Sequence, residues 1–145
     1  MLCRFFVTSL TALLSIVSVT AYAANALPVK AETLLISSDS WDGTAYERYP
    51  AGPPELTVVR LTIAPNTTLP WHTHPMPSVA YVISGELLVE KQGGDAKKRL
   101  LAGDVLPEMV RAVHRGVTGE TGVVLIVFYA GAKGMKLSEP PGVPR

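Results

Sequence analysis

Three histidines, His72, His74 and His114, are the entire histidine complement of this 145-residue chain. Two of them stand as His72-Thr73-His74. In extended backbone successive side chains alternate faces, so this spacing turns both imidazoles the same way. Two imidazoles on one strand face can grip a single metal ion if further ligands arrive from elsewhere, and His114 is the remaining candidate. The alternative is three surface or core histidines with no metal. The ion would be divalent Fe, Zn, Mn, Ni or Cu, and ligand type alone does not choose among them.

Bringing His114 back to the pair requires a chain that folds as paired strands, and the sequence reads that way. Residues 56–63 are rich in β-branched side chains and bounded by Pro54 and Pro65, which predicts a strand. Residues 79–83 and 86–91 read as two strands separated by the turn residues Ser84-Gly85. Gly93-Gly94-Asp95 predicts a hairpin tip, after which residues 97–101 return. Residues 105–117 read as extended, and the apolar run 123–129 has the pattern of a fully buried strand. Residues 34–36 are a candidate opening strand and free edge, followed by a loop over 37–54 that carries Trp41, Tyr46 and Tyr49. Beyond Gly131 the Gly- and Pro-rich tail reads as loosely held. Short strands at spacings of roughly 8 to 12 residues, with no helical periodicity between them, predict an all-β sandwich or barrel.

The first 23 residues read as a secretory signal: Arg4, then an apolar run, then Ala21-Tyr22-Ala23 as a cleavage site. An uncleaved anchor is the alternative, but the run is short for a span. The protein is therefore expected in the periplasm or outside the cell, with no membrane span after cleavage. Removing 23 of the 145 residues leaves about 122, one domain's worth. That domain divides into an N-terminal strand and loop segment (24–55), a barrel core (56–130) and a C-terminal tail (131–145). Loss of Arg4 balances 12 basic against 12 acidic side chains, which argues against nucleic acid or an anionic membrane as partner. Cys3 is the only cysteine and leaves with the signal, so no disulfide or thiolate ligand is expected.

These residues resemble the cupin family, small double-stranded β-helix (jelly-roll) barrels with one metal site inside. The first cupin motif is Gly-x5-His-x-His-x(3,4)-Glu-x6-Gly, and His72, His74 and Gly85 fall in register with it. The second is Gly-x5-Pro-x-Gly-x2-His-x3-Asn, and Gly103 and His114 match it. The likeness covers about residues 56–129. Ser78 stands where the first motif has its glutamate, and the leading glycine of that motif is not in place. Met109, Arg111 and Thr118 replace the Pro, Gly and Asn of the second. The resemblance implies a jelly-roll fold, a metal on His72, His74 and His114, and open positions on that metal for water or substrate.

Glu108 is the carboxylate that could compensate for Ser78. It lies six residues before His114, so an unbroken strand would place both on one face. There it would serve as general base or fourth ligand; facing outward it would pair with Arg111 or a lysine. Trp71, Met76, Ser78, Tyr81 and Tyr129 are candidates to line a small-molecule pocket, with core filling the alternative for each. Two functions follow. One is an exported metalloenzyme with oxygenase-like or isomerase-like chemistry on a small molecule. The other is a module that binds or senses metal or metabolite without turnover. A homodimer is a third element of the expectation, with residues 33–36 as its edge.

Overall fold

The computed structural model describes residues 29–142, so the signal segment and its cleavage sites lie outside the described residues. Six strands form: β1 (Pro54–Ile63), β2 (Ser78–Lys91), β3 (Lys97–Leu101), β4 (Val105–Pro107), β5 (His114–Val117) and β6 (Val123–Ala132). No helix occurs among the described residues, in keeping with an all-β chain. All strand pairs are antiparallel.

β2 organises the fold. Its first half pairs with β6 and β4, and its second half, from Glu86, pairs with β3 and β5. One sheet therefore runs β1, β6, β2, β4, the other β3, β2, β5, and a single continuous strand belongs to both. The expected break at Ser84-Gly85 is instead an irregularity in the pairing between Val82 and Ser84. A bulge bends a strand without reversing it, which is how one strand turns from one sheet into the next. Gly85 makes the corner possible. Its φ is 81°, and a Cβ there would collide with the Gly122 carbonyl.

The two sheets enclose the core. From the first come Ile63, Ala80, Val82, Leu106, Val123, Leu125, Val127 and Tyr129; from the second come Leu87, Val89 and Leu100. Alternation along β6 buries 123, 125, 127 and 129, while Phe128 on the outer face is 37% exposed. β6 is thus buried on one face only. Its apolar run misled because outward Val124, Ile126 and Phe128 lie beside Thr62, Arg60 and Val58 of β1 rather than under a further layer.

Three further expectations are corrected. Residues 33–36 form no strand, and Ile36 is 91% exposed. Residues 105–117 are not one strand: regular pairing stops at Pro107 and resumes at His114. Arg111 between them has φ 61°, a left-handed conformation that costs an ordinary residue roughly 1 kcal/mol. The tail beyond Gly131 is tied down, since Thr73 and Glu139 exchange both backbone hydrogen bonds at 2.9 Å. Leu137 and Met135 also pack against the core.

Candidate metal centre

The three histidines are brought together by backbone pairing. His72 and His114 form an antiparallel bridge and exchange both N–H···O bonds at 2.9 Å. Residues directly opposite in such a pair present their side chains on the same face. His74 follows two residues on, with its carbonyl accepting from the Arg111 N–H at 2.8 Å. Thr73 between them bonds in the other direction, to Glu139. The histidine strand therefore lies between the 110–114 segment and the tail.

The ring centroids lie 4.6 Å (His72–His114), 5.0 Å (His72–His74) and 5.0 Å (His74–His114) apart. One ligand atom from each comes within 4.8 Å of the others. Which atom is settled by the outer partners. His72 Nδ1 meets the Pro70 carbonyl at 2.9 Å, His74 Nδ1 that of Leu137 at 2.7 Å, and His114 Nδ1 that of Ala112 at 2.9 Å. A carbonyl can only accept, so each Nδ1 carries the hydrogen, and in the neutral ring Nε2 keeps the free lone pair. Three carbonyls thereby fix three rings in the ligating tautomer, the arrangement that makes imidazole a good metal donor. Burial pushes the protonation of both His74 and His114 down to about 4, so both are neutral near pH 7 and ready to ligate.

Glu108 faces the same interior. Its Oε2 lies 3.4 Å from His114 Nε2, with the two side chains 12% and 3% exposed. Neither atom has a hydrogen-bond partner among the described residues. With His114 in the tautomer its carbonyl imposes, a lone pair faces a carboxyl oxygen. Two acceptors at that distance repel unless a proton or a cation lies between them. Burial alone pushes the Glu108 carboxyl up to about 7, in line with an oxygen that lacks a compensating charge. The donor set, three imidazole nitrogens and one orphaned carboxyl oxygen, fits a divalent ion.

Ser78 is 1% exposed, its Oγ has no partner, and its carbonyl accepts from the Glu108 N–H at 2.9 Å. Met76, 1% exposed, fills the core beside Tyr129, whose ring centroid lies 5.5 Å from that of His74. Burial, then the neighbouring Glu108, pushes the Tyr129 phenol up to about 12, so it stays protonated. Two further pocket candidates have more open surroundings or a cationic neighbour. Tyr81 is 38% exposed, because alternation turns Ala80 and Val82 inward and Tyr81 out. Trp71, directly before His72, has its ring covered by the Arg115 guanidinium at 4.3 Å.

Several contributors carry no sequence signal, the carbonyls of Pro70, Ala112 and Leu137 among them. The loop over 37–46 is another. Trp41 N–H donates to the Pro107 carbonyl at 2.9 Å and the Tyr46 hydroxyl to the Glu108 carbonyl at 2.7 Å. Lys91, opposite His114 in the β2–β5 pair, reaches Asp42 at 2.6 Å, and the Asp42 side chain is 4% exposed. Burial alone would raise the Asp42 carboxyl, but bonds from Lys91, Ser40 and Thr44 hold it well below the usual carboxylate range.

Fold and site together define a double-stranded β-helix protein with three histidines close enough to bind a metal. The profile of the family described as "Cupin domain" (Cupin_2) matches residues 59–129, and the chain belongs to the cupin family. Among solved structures it is similar to the DMSP lyase DddQ of Ruegeria pomeroyi DSS-3. Identity is 19%, coverage 63% of this chain and 44% of the lyase, and the TM-score 0.51. A cupin-like protein of Thermotoga maritima shows 20% identity, 60% and 65% coverage, and a TM-score of 0.51. An RmlC-like cupin of Shewanella frigidimarina shows 30% identity, 55% and 69% coverage, and a TM-score of 0.48. The chain thus spans less than half of the lyase and just under two thirds of the Thermotoga protein. No curated protein matches the sequence.

Proposed function

We propose that this cupin is an exported metalloenzyme that moves a proton on a small molecule with oxygen donors. The observation that carries the reading is the unpartnered Glu108 Oε2 facing the unpartnered His114 Nε2 at 3.4 Å. His72, His74 and His114 would hold a divalent ion through Nε2, with Glu108 beside it. Such an ion, when bound, polarises a carbonyl or hydroxyl of the substrate and so acidifies the neighbouring position. Glu108 is the base that takes the proton and returns it, because it is the carboxylate within reach of the histidine cluster. Tyr129, whose ring centroid lies 5.5 Å from that of His74, borders the space and can donate a hydrogen bond. A carboxylate placed for proton transfer favours isomerase-like over oxygenase-like chemistry. Residues 1–23 support export. The outer face of the first sheet, with Leu56 66% and Val58 62% exposed on the edge strand β1, supports pairing of two copies.

Metal analysis of protein purified without chelators tests the site. About one equivalent of divalent metal, lost in His114→Ala, is expected; no metal in the wild type overturns the reading. Exchange of substrate protons with heavy water, followed across a panel of hydroxy- and keto-acids and sugars, tests the chemistry.

A second reading, metal or metabolite binding without turnover, is favoured by one observation. Two grooves, of about 380 and 640 Å³, are lined by none of the three histidines. Bound metal without proton exchange on any of the panel would support it.

A further inference from the structure

Arg111 sits on backbone that glycine would occupy without strain. Its φ is 61°, and it stands at the glycine of the second cupin motif, three residues before His114. The turn itself is retained, held by the Arg111 N–H on the His74 carbonyl at 2.8 Å. The residue suited to that turn has been exchanged for a long cation. A strained position that keeps a large side chain points to a use for that side chain.

Arg111 lines a groove of about 640 Å³ together with residues 44–51, Pro75, Val110 and Met135. Arg48 lines it too, and among the described residues neither arginine forms an ion pair. Glu47 is the one acidic residue in the lining, so the groove carries one net positive charge. Tyr46 and Tyr49 give it aromatic surface, the latter 73% exposed. Guanidinium groups match a carboxylate through two parallel N–H···O bonds, and flat apolar bodies rest well on tyrosine rings.

We propose that this groove is a binding site for a small monocarboxylate with a flat apolar body. Arg111 and Arg48 pair with the carboxylate, and Tyr46 and Tyr49 flank the ring. None of the three histidines lines this groove, and the site does not depend on their binding a metal.

Benzoate serves as the probe, titrated into the protein as purified and followed by backbone amide NMR. Saturable shifts at residues 44–51 and at Arg111 are expected. Arg111→Gly places the residue that suits the turn, so its Tm should equal or exceed that of the wild type while benzoate binding weakens about tenfold. Arg48→Gln, on an exposed position, should weaken binding with the fold intact. The proposal is overturned by any of three results: no shifts in the groove, shifts confined to the surroundings of His72, His74 and His114, or an Arg111→Gly variant that binds benzoate as the wild type does.

Discussion

The Glu108 N–H donates to the Ser78 carbonyl at 2.9 Å, which seats the carboxylate that reaches His114 beside the residue standing at the glutamate position of the first cupin motif. The acid has moved across to the neighbouring segment while its side chain still reaches the histidine cluster. Exchange of the two residues tests this. Glu108→Ser alone is expected to weaken metal binding about 10- to 100-fold. Adding Ser78→Glu should recover most of that loss, because the carboxylate returns from the adjacent backbone position. Competition with a chromogenic chelator reads both variants. Equal affinity in Glu108→Ser and wild type would remove Glu108 from the metal site.

Acid should destabilise the metal-free protein across the range where its buried histidines refuse protons. His74 and His114 ionise near 4 when folded against 6.5 in the open chain. Their neutral state costs nothing above pH 6.5, and stability falls as pH drops from there toward about 4. Glu108 opposes them, ionising near 7 when folded against 4.5 unfolded, so it lowers stability as pH rises from 4.5 to 7. Two groups outweigh one, and the urea midpoint should decline between pH 6.5 and 4.5. Glu108→Gln removes the opposing slope and should steepen the decline. Midpoints that stay level with pH would show that the histidines are hydrated in the folded state.

The tail orients His74, so its removal should be felt at the metal. Truncation after Lys136 deletes the Leu137 carbonyl and the Thr73–Glu139 bridge. Freed of its Nδ1 partner, the ring can turn and exchange tautomers. Metal affinity should fall about 10- to 100-fold, while far-UV circular dichroism keeps the strand signature of a core built from β1 to β6. Unchanged affinity in the truncated protein would mean that ring packing alone fixes His74.

Gly85→Ala should cost about 3 kcal/mol of stability. Alanine there meets both an unfavourable φ and the Gly122 backbone. Gly93, at φ 81° in open space, is the control, and alanine there should cost about 1 kcal/mol. Denaturant titration separates the two, and equal losses would mean that the corner yields easily.

Spacing made the histidines legible: His72 and His74 alternate with Thr73, and the motif register reached His114 across 40 residues that no local rule could bridge. Glu108 is a different case. Parity along an unbroken strand offered the inward face beside an outward alternative, and the side chain does face inward, but the strand breaks at Pro107 and Arg111 turns left-handed. One of the two directions was right, for a reason the strand break removes. Ser84-Gly85 has turn chemistry, and only the Gly122 contact reveals that the residues make a corner instead of a reversal. The tail looked loose because Gly and Pro say nothing about carbonyls, and it is the Leu137 carbonyl that His74 uses. Residues 33–36 offered apolar side chains with no strand beside them to pair with.

The partner of His74 Nδ1 lies 63 residues further along the chain. During synthesis His72, His74 and His114 therefore all emerge before the residue that locks His74. Until Leu137 follows, His74 lacks its carbonyl partner, whereas His72 and His114 find theirs two residues away. Tight capture of a metal would thereby be deferred to the closing moments of folding, and the ion would be chosen from whatever surroundings the finished chain meets.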